Sequence, residues 1–170
     1  MNKCCFTGHR PKSLPWGYNE NSESCKRFKE TLKSLLISVI ENGTRYFITG
    51  MAEGFDTYAL ETLLEIRNEG YNIIIEGAIP CKNQDLKWSE DNKLRYRRNY
   101  TKLDKTTLIS STYTPTCMHE RNDYMLNSSN MVISCYKGGY GGTWSTISKA
   151  RKLNKELINI NPQSLEITYD

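Results

Sequence analysis

The sequence predicts an α/β protein in three layers, a mostly parallel central sheet flanked on both faces by helices. Three observations carry that expectation. Short β-branched or aromatic runs alternate with longer segments of helical spacing, the pattern of repeated βα units around a parallel sheet. The length of 170 residues fits one core and is too short for two ordinary ones. Glycine-containing polar turns follow several of the strand-like runs, and right-handed crossovers gather such turns along one edge of a parallel sheet. A single domain is therefore expected over residues 1–170, without internal repeat, linker or low-complexity stretch.

In chain order, the first strand is Lys3 to Thr7, ahead of the turn at Gly8. Pro11 to Asn21 reads as an ordered but irregular loop. A helix is expected over Glu23 to Glu41. There Phe28, Leu32, Leu35, Leu36 and Val39 fall at three- and four-residue spacing on one face, and Asn42-Gly43 supplies the stop. Strand Arg45 to Thr49 and helix Asp56 to Asn68 follow, then strand Asn72 to Ile79 and helix Gln84 to Lys102. Strand Thr106 to Ser110, helix Cys117 to Asn127, strand Met131 to Cys135, helix Thr143 to Leu153 and strand Glu156 to Ile160 complete the series. Each helix is long enough to cross back over the sheet, which makes the architecture Rossmann-like. The tail after Pro162 reads as an appendage.

Composition narrows the class. Hydrophobic residues make up 38% and charged residues 25%, spread without a long polar tract, which excludes wholesale disorder and fibrous repeats. No apolar run reaches bilayer length, and the N-terminus arrives at Gly8 and Arg10 before any signal-peptide core forms, so a cytoplasmic protein without membrane partner is expected. Cys4, Cys5, Cys25, Cys81, Cys117 and Cys135 form no CxxC pair and no Cys/His cluster. They read as buried thiols in a reducing compartment, and no metal is expected. The net charge of +4 suits an anionic ligand but does not demand nucleic acid. Whether the chain forms a homo-oligomer is left open.

Function is expected where three strand ends break into glycine turns. They are Thr7-Gly8-His9-Arg10-Pro11, Thr49-Gly50-Met51-Ala52-Glu53-Gly54-Phe55-Asp56, and Lys137-Gly138-Gly139-Tyr140-Gly141-Gly142-Thr143. Glycine lets backbone amides approach an anion, and the helix that follows aims its positive dipole end at the same spot. Plain turn chemistry is the alternative for any one of them, but three on one sheet edge favour ligand binding. None is GxGxxG with a distant acid, and none is GxxxxGK[ST], which argues against ordinary NAD dehydrogenases and Walker ATPases. His9-Arg10 offers an imidazole beside a planar cation suited to phosphate. Asp56 either complements its helix dipole or accepts a ribose hydroxyl, and Thr143 either caps its helix or donates to a phosphate. Arg121, with Asn122, stands at a crowded helix start, where it meets a ligand phosphate or pairs with Glu120 or Asp123.

Taken together, Gly8-His9-Arg10-Pro11, Gly50-Met51-Ala52-Glu53-Gly54-Phe55-Asp56, Trp88 with Arg95-Tyr96, Arg121-Asn122 and Gly141-Gly142-Thr143 resemble the YpsA-like branch of the SLOG superfamily. The resemblance runs in order through nearly the whole chain. It implies a Rossmann-like fold that binds nucleotides or ADP-ribose-like molecules, in a superfamily that includes the lonely-guy phosphoribohydrolases and the DNA-processing protein DprA. Met118-His119-Glu120-Arg121 resembles the lonely-guy MHER motif, which matches Arg121 to an active-site arginine. Gly138-Gly139-Tyr140-Gly141 resembles the start of PGGxGTxxE. The departures are Lys137 for the proline, an extra Gly142, and Thr146 for the glutamate.

A threonine does not do a carboxylate's work at an oxocarbenium-like centre. The expected function is thus a sensor or sequestering module for a nucleotide-derived ligand of ADP-ribose or NAD type, with little or no catalysis and no required cofactor. The catalytic residues are not identifiable from the sequence. The enzymatic alternative, a nucleoside 5′-monophosphate phosphoribohydrolase or other N-glycosidase, needs a substitute carboxylate such as Glu53 or Glu120. A third reading, single-stranded nucleic-acid binding, draws on Lys87, Lys93, Arg95, Arg97, Arg98 and Lys102 interleaved with Trp88, Tyr96 and Tyr100. It carries less weight, because on one helix the same pattern reads as an aromatic core stripe flanked by solvated cations.

Overall fold

The computed structural model describes residues 1–170. Its strands are β1 (Lys3–Gly8), β2 (Tyr46–Thr49), β3 (Ile74–Cys81), β4 (Lys105–Ser110), β5 (Met131–Cys135), β6 (Glu156–Ile160) and β7 (Ile167–Tyr169). Its helices are α1 (Glu23–Glu41), α2 (Phe55–Asn68), α3 (Glu90–Tyr100), α4 (Cys117–Asn127) and α5 (Gly142–Lys152). The sheet runs β4-β3-β2-β1-β5-β6-β7, parallel throughout except for β7. The expected Rossmann-like α/β architecture is the one observed.

Strand order locates the crevice. From β1 the chain steps outward through β2, β3 and β4, then returns to lay β5 on the other side of β1. The loops leaving β1 and β5 therefore diverge to opposite faces, and a parallel sheet opens a ligand crevice at such a reversal.

Alternation along the strands divides the core. Cys4, Phe6, Phe47, Ile133 and Cys135 face the larger apolar layer with α1 and α2, whereas Cys5, Tyr46, Ile48 and Val132 face the smaller one with α4 and α5. In the larger layer Phe6 stacks near Phe47 at 6.1 Å and Phe28 meets Phe55 edge-on at 6.1 Å. All six cysteines are buried free thiols. No helix is long and apolar enough to cross a membrane.

Two sequence readings need correction. The helix expected from Gln84 starts only at Glu90, because the Ser89 hydroxyl accepts from the Asn92 amide at 3.2 Å and caps it there. Gln84 is instead buried, donating to the Gly50 carbonyl at 3.4 Å and the Tyr96 hydroxyl at 3.3 Å. The tail after Pro162 is no appendage. Asn161 Oδ1 accepts from the Gln163 amide at 2.9 Å in a turn that brings β7 back antiparallel onto β6. The loop Pro11 to Asn21 is ordered and irregular as expected, with one short 3-10 helix, Pro11–Ser13, and it buries Leu14 and Trp16. The Trp16 indole N–H donates to the Tyr58 hydroxyl at 3.0 Å, which pins the loop to α2.

Helix α3 is held chiefly by charge. The Arg95 guanidinium donates to both oxygens of Glu20 (2.6 and 2.8 Å) and of Glu61 (2.7 and 2.6 Å), and Asn99 adds a bond to Glu61 at 2.8 Å. Burial pushes the Glu20 carboxyl up, but hydrogen bonds from Arg95 and Lys29 outweigh it and bring it down to about 2. A carboxyl depressed on folding stabilises above its ordinary value of 4.5 and loses that contribution as pH falls toward 2. Urea melts between pH 6 and pH 2.5 should show that loss, and Glu20→Gln should remove about 1–2 kcal/mol of the pH-dependent part after solvent screening.

Candidate functional site

A cleft of about 640 Å³ opens at the carboxyl ends of β1 and β5. Its walls include Gly8, His9, Arg10, Asp56, Arg121, Asn122, Gly138, Gly139, Gly141, Gly142 and Thr143. Most residues singled out in the sequence thus converge. Gly50, Met51 and Gly54 do not line the cleft, and their roles lie beneath it. A broader groove between α2 and α3, lined by Glu61, Glu65, Glu69, Arg95 and Lys102, is remote from the strand ends and already occupied by internal ion pairs.

The side chain of Arg121 forms the floor. Only 3% exposed, it is sunk into the protein and does not pair with Glu120 or Asp123. Its Nη1 donates to the Gly50 carbonyl at 2.6 Å, its Nε to Asn122 Oδ1 at 2.8 Å, and its Nη2 lies 3.8 Å from Met118 Sδ. Gly50 permits this, since a Cβ there would stand 2.5 Å from Nη1 and 2.9 Å from Asp56 Oδ2. Asp56 is also buried, with Oδ2 accepting from the Ala52 amide at 3.2 Å, while Oδ1 makes no hydrogen bond to the protein and fronts the cleft. Burial raises the Asp56 carboxyl above its ordinary range, against the opposing pull of Arg121 and the Ala52 amide.

The loop after β2 is folded under this floor. Met51 takes φ +58°, and its amide donates to Thr49 Oγ1 at 3.2 Å. Gly54 takes φ +85° so close to the β1 loop that a Cβ would stand 2.6 Å from the His9 carbonyl, which accepts from the Phe55 amide at 3.2 Å. The His9 imidazole then spans the crevice, with Nε2 accepting from the Lys137 amide at 3.0 Å. Burial and the Lys137 charge both lower its pKa, favouring the neutral ring that this bond needs.

Above the floor the electrostatics change. Arg10, Lys12 and Lys137 make no ion pair with any carboxylate, and the Arg10 guanidinium has Met118 Sδ at 3.8 Å as its hydrogen-bond partner. On the facing side, α5 begins with Gly141 as a cap that offers no side chain, and the first amide to find a helical partner is that of Ser145. Thr143 lies inside the helix and caps nothing. Thr146 is buried, its hydroxyl donating to the Gly142 carbonyl at 3.0 Å. Glu53 is engaged by Tyr18 and Asn92, Glu120 by Thr116, and neither lines the cleft. Asp56 is the carboxylate that does.

The sequence reading missed Lys12 and the aromatic wall of Tyr136, Tyr140 and Trp144. The signal was present as aromatics four residues apart, interleaved with glycines.

A reversed parallel sheet with cations and open helix amides at its reversal defines a Rossmann-like protein with a crevice at the strand ends. The chain belongs to the YspA SLOG family, which matches residues 4–166. It is 30% identical over 161 residues to the SPbeta prophage-derived protein YoqJ of Bacillus subtilis, covering 84% of this chain and 94% of that one. A UPF0398 protein of Brevibacillus brevis is 27% identical over 159 residues, covering 88% and 83%. Among solved structures, DNA processing protein A of Streptococcus pneumoniae superposes with a TM-score of 0.66 at 16% identity. The superposition covers 98% of this chain and 52% of that one, so the chain spans about half of it. The Helicobacter pylori protein, described for its single-stranded DNA binding mode, gives 0.61 at 17% identity over 93% and 64%. These likenesses concern the fold.

Removing Arg121 should strip the floor of three contacts and leave the Gly50 carbonyl with only the long bond from Gln84 at 3.4 Å. Arg121→Ala is expected to lower stability by about 2–4 kcal/mol in urea unfolding, whereas exposed Arg10→Ala should stay within about 0.5 kcal/mol.

Proposed function

We propose that the crevice binds a nucleotide or nucleotide-derived ligand, of ADP-ribose or NAD type, and does not cleave it. One observation carries this reading. Cations without carboxylate partners and the open amides of α5 face the same cleft as a buried carboxylate with one free oxygen. Amides and cations suit phosphate, while Asp56 Oδ1 suits a ribose hydroxyl. Membership of the SLOG family supports nucleotide or nucleic-acid binding in general.

Absence of cleavage is supported by Thr146, whose hydroxyl turns into its own helix rather than toward the cleft. Were there chemistry, Asp56 would be its carboxylate, since neither Glu53 nor Glu120 reaches the walls. Nucleic acid is the second reading, favoured by the fold shared with a single-stranded DNA binder. The α3 stripe supports it poorly, because Arg95 is held by Glu20 and Glu61 and Tyr96 packs against Trp88 at 5.4 Å.

Calorimetry with AMP, ADP-ribose and NAD should find a binder, and chromatography of the same mixtures should find no free base. Arg10→Ala should weaken that binding about tenfold with unchanged melting. Multiple-turnover base release abolished by Asp56→Asn would replace the binding-only reading with an N-glycosidase.

A further inference from the structure

Tyr140 is 95% exposed, more than any other large hydrophobic side chain of the protein, and it stands on the rim of the crevice. An aromatic ring held in water beside a polar cleft leaves both faces available for contact. Behind it, Trp144 on the first turn of α5 lies 6.1 Å from Tyr140 with planes at 88°, and 6.3 Å from Tyr136 with planes at 26°. Tyr136 is anchored. Its ring lies 5.6 Å from His9, and its hydroxyl donates to the Gly139 carbonyl at 2.5 Å.

The group therefore has a fixed back and an open front. At Gly138, Gly139, Gly141 and Gly142 an added Cβ would meet nothing within 4 Å, so the segment carrying Tyr140 stands clear of the body. With 95% of its surface in solvent, Tyr140 is free on its outer side to turn parallel to Trp144 and draw back from 6.1 Å to roughly 7 Å, the separation at which two rings accept a planar one between them. Trp144 directly follows Thr143 at the start of α5, so this slot adjoins the amides assigned above to phosphate.

Resting on the nucleotide reading, we infer that Tyr140 and Trp144 form a stacking subsite for a nucleobase, with Tyr140 folding over the base while the phosphate lies against α5. Every base has a π face, so such a subsite tolerates base identity but discriminates nucleoside phosphates from sugar phosphates. It selects for possession of a base.

The test is a titration with AMP, ribose 5-phosphate and a 5′-phosphorylated oligodeoxyadenylate, read by calorimetry and tryptophan fluorescence. AMP should bind about 5- to 100-fold more tightly than ribose 5-phosphate and quench Trp144. Tyr140→Ala should remove most of that gap, leave ribose 5-phosphate unchanged and melt with the parent protein. Trp144→Phe should keep the affinity and lose the quench, which assigns the signal to Trp144 rather than Trp16 or Trp88. Equal affinities for AMP and ribose 5-phosphate, or an AMP affinity indifferent to Tyr140→Ala, would overturn the stacking subsite alone. Binding of none of the three ligands would overturn the anion site and the subsite with it. An oligonucleotide that binds more tightly than AMP, and still needs Tyr140, would uphold the subsite and assign the base to a strand end.

Discussion

The crevice depends on one buried guanidinium. Arg121 reaches from α4 to the Gly50 carbonyl at 2.6 Å, and no residue but glycine leaves it room. A buried cation is costly without partners, so the Gly50 carbonyl, Asn122 and nearby Asp56 are requirements of its burial. From there the constraint propagates. Asp56 takes the Ala52 amide and sets the first turn of α2, Gly54 lets that turn lie against the His9 carbonyl, and His9 holds the Lys137 amide of the β5 loop. Four elements distant in sequence are thereby locked into one wall.

Two uses of charge are separated in space. On α3, Arg95 is spent on Glu20 and Glu61. Around the crevice, Arg10, Lys12 and Lys137 lack such partners although the chain carries 19 acidic residues. A carboxylate on that rim would have been an easy way to lower the local potential. Its absence there leaves the mouth to cations, while the Asp56 carboxyl is sunk below them, so the mouth suits an anion and the floor suits a hydroxyl.

Most of the fold was legible because strand and helix periods differ, and a βα alternation of this length has few topologies. What failed had local causes. The start of α3 is set by the Ser89 cap, which a search for apolar spacing passes over, and β7 is three residues long, too short for any period to register. The site divides in the same way. Glycine turns after strands were readable, but the division of labour among them was not. Gly50 and Gly54 serve close packing against Arg121 and the His9 carbonyl, groups that approach from far along the chain. The glycines around Tyr140 face open space, and only the assembled structure tells the two kinds apart.

That division bears on the proposal that this chain binds without cleaving. A phosphate site needs amides and cations, and these tolerate a range of ligand positions because each contact is one of several. Cleavage of an N-glycosidic bond needs one carboxylate at one position. Gly142, the residue extra to the motif, is the first residue of α5, so Thr146 sits a full turn inside the helix with its hydroxyl on the Gly142 carbonyl. The position that the resemblance matches to the motif's glutamate thus carries no carboxylate and turns its hydroxyl into the helix. Asp56 does not restore that glutamate, because one of its oxygens orders the β2 loop through the Ala52 amide and burial favours its neutral form. A carboxyl with one oxygen committed to the fold and one free to accept a hydroxyl fits the proposed binding role better than a step that needs an ionised carboxylate.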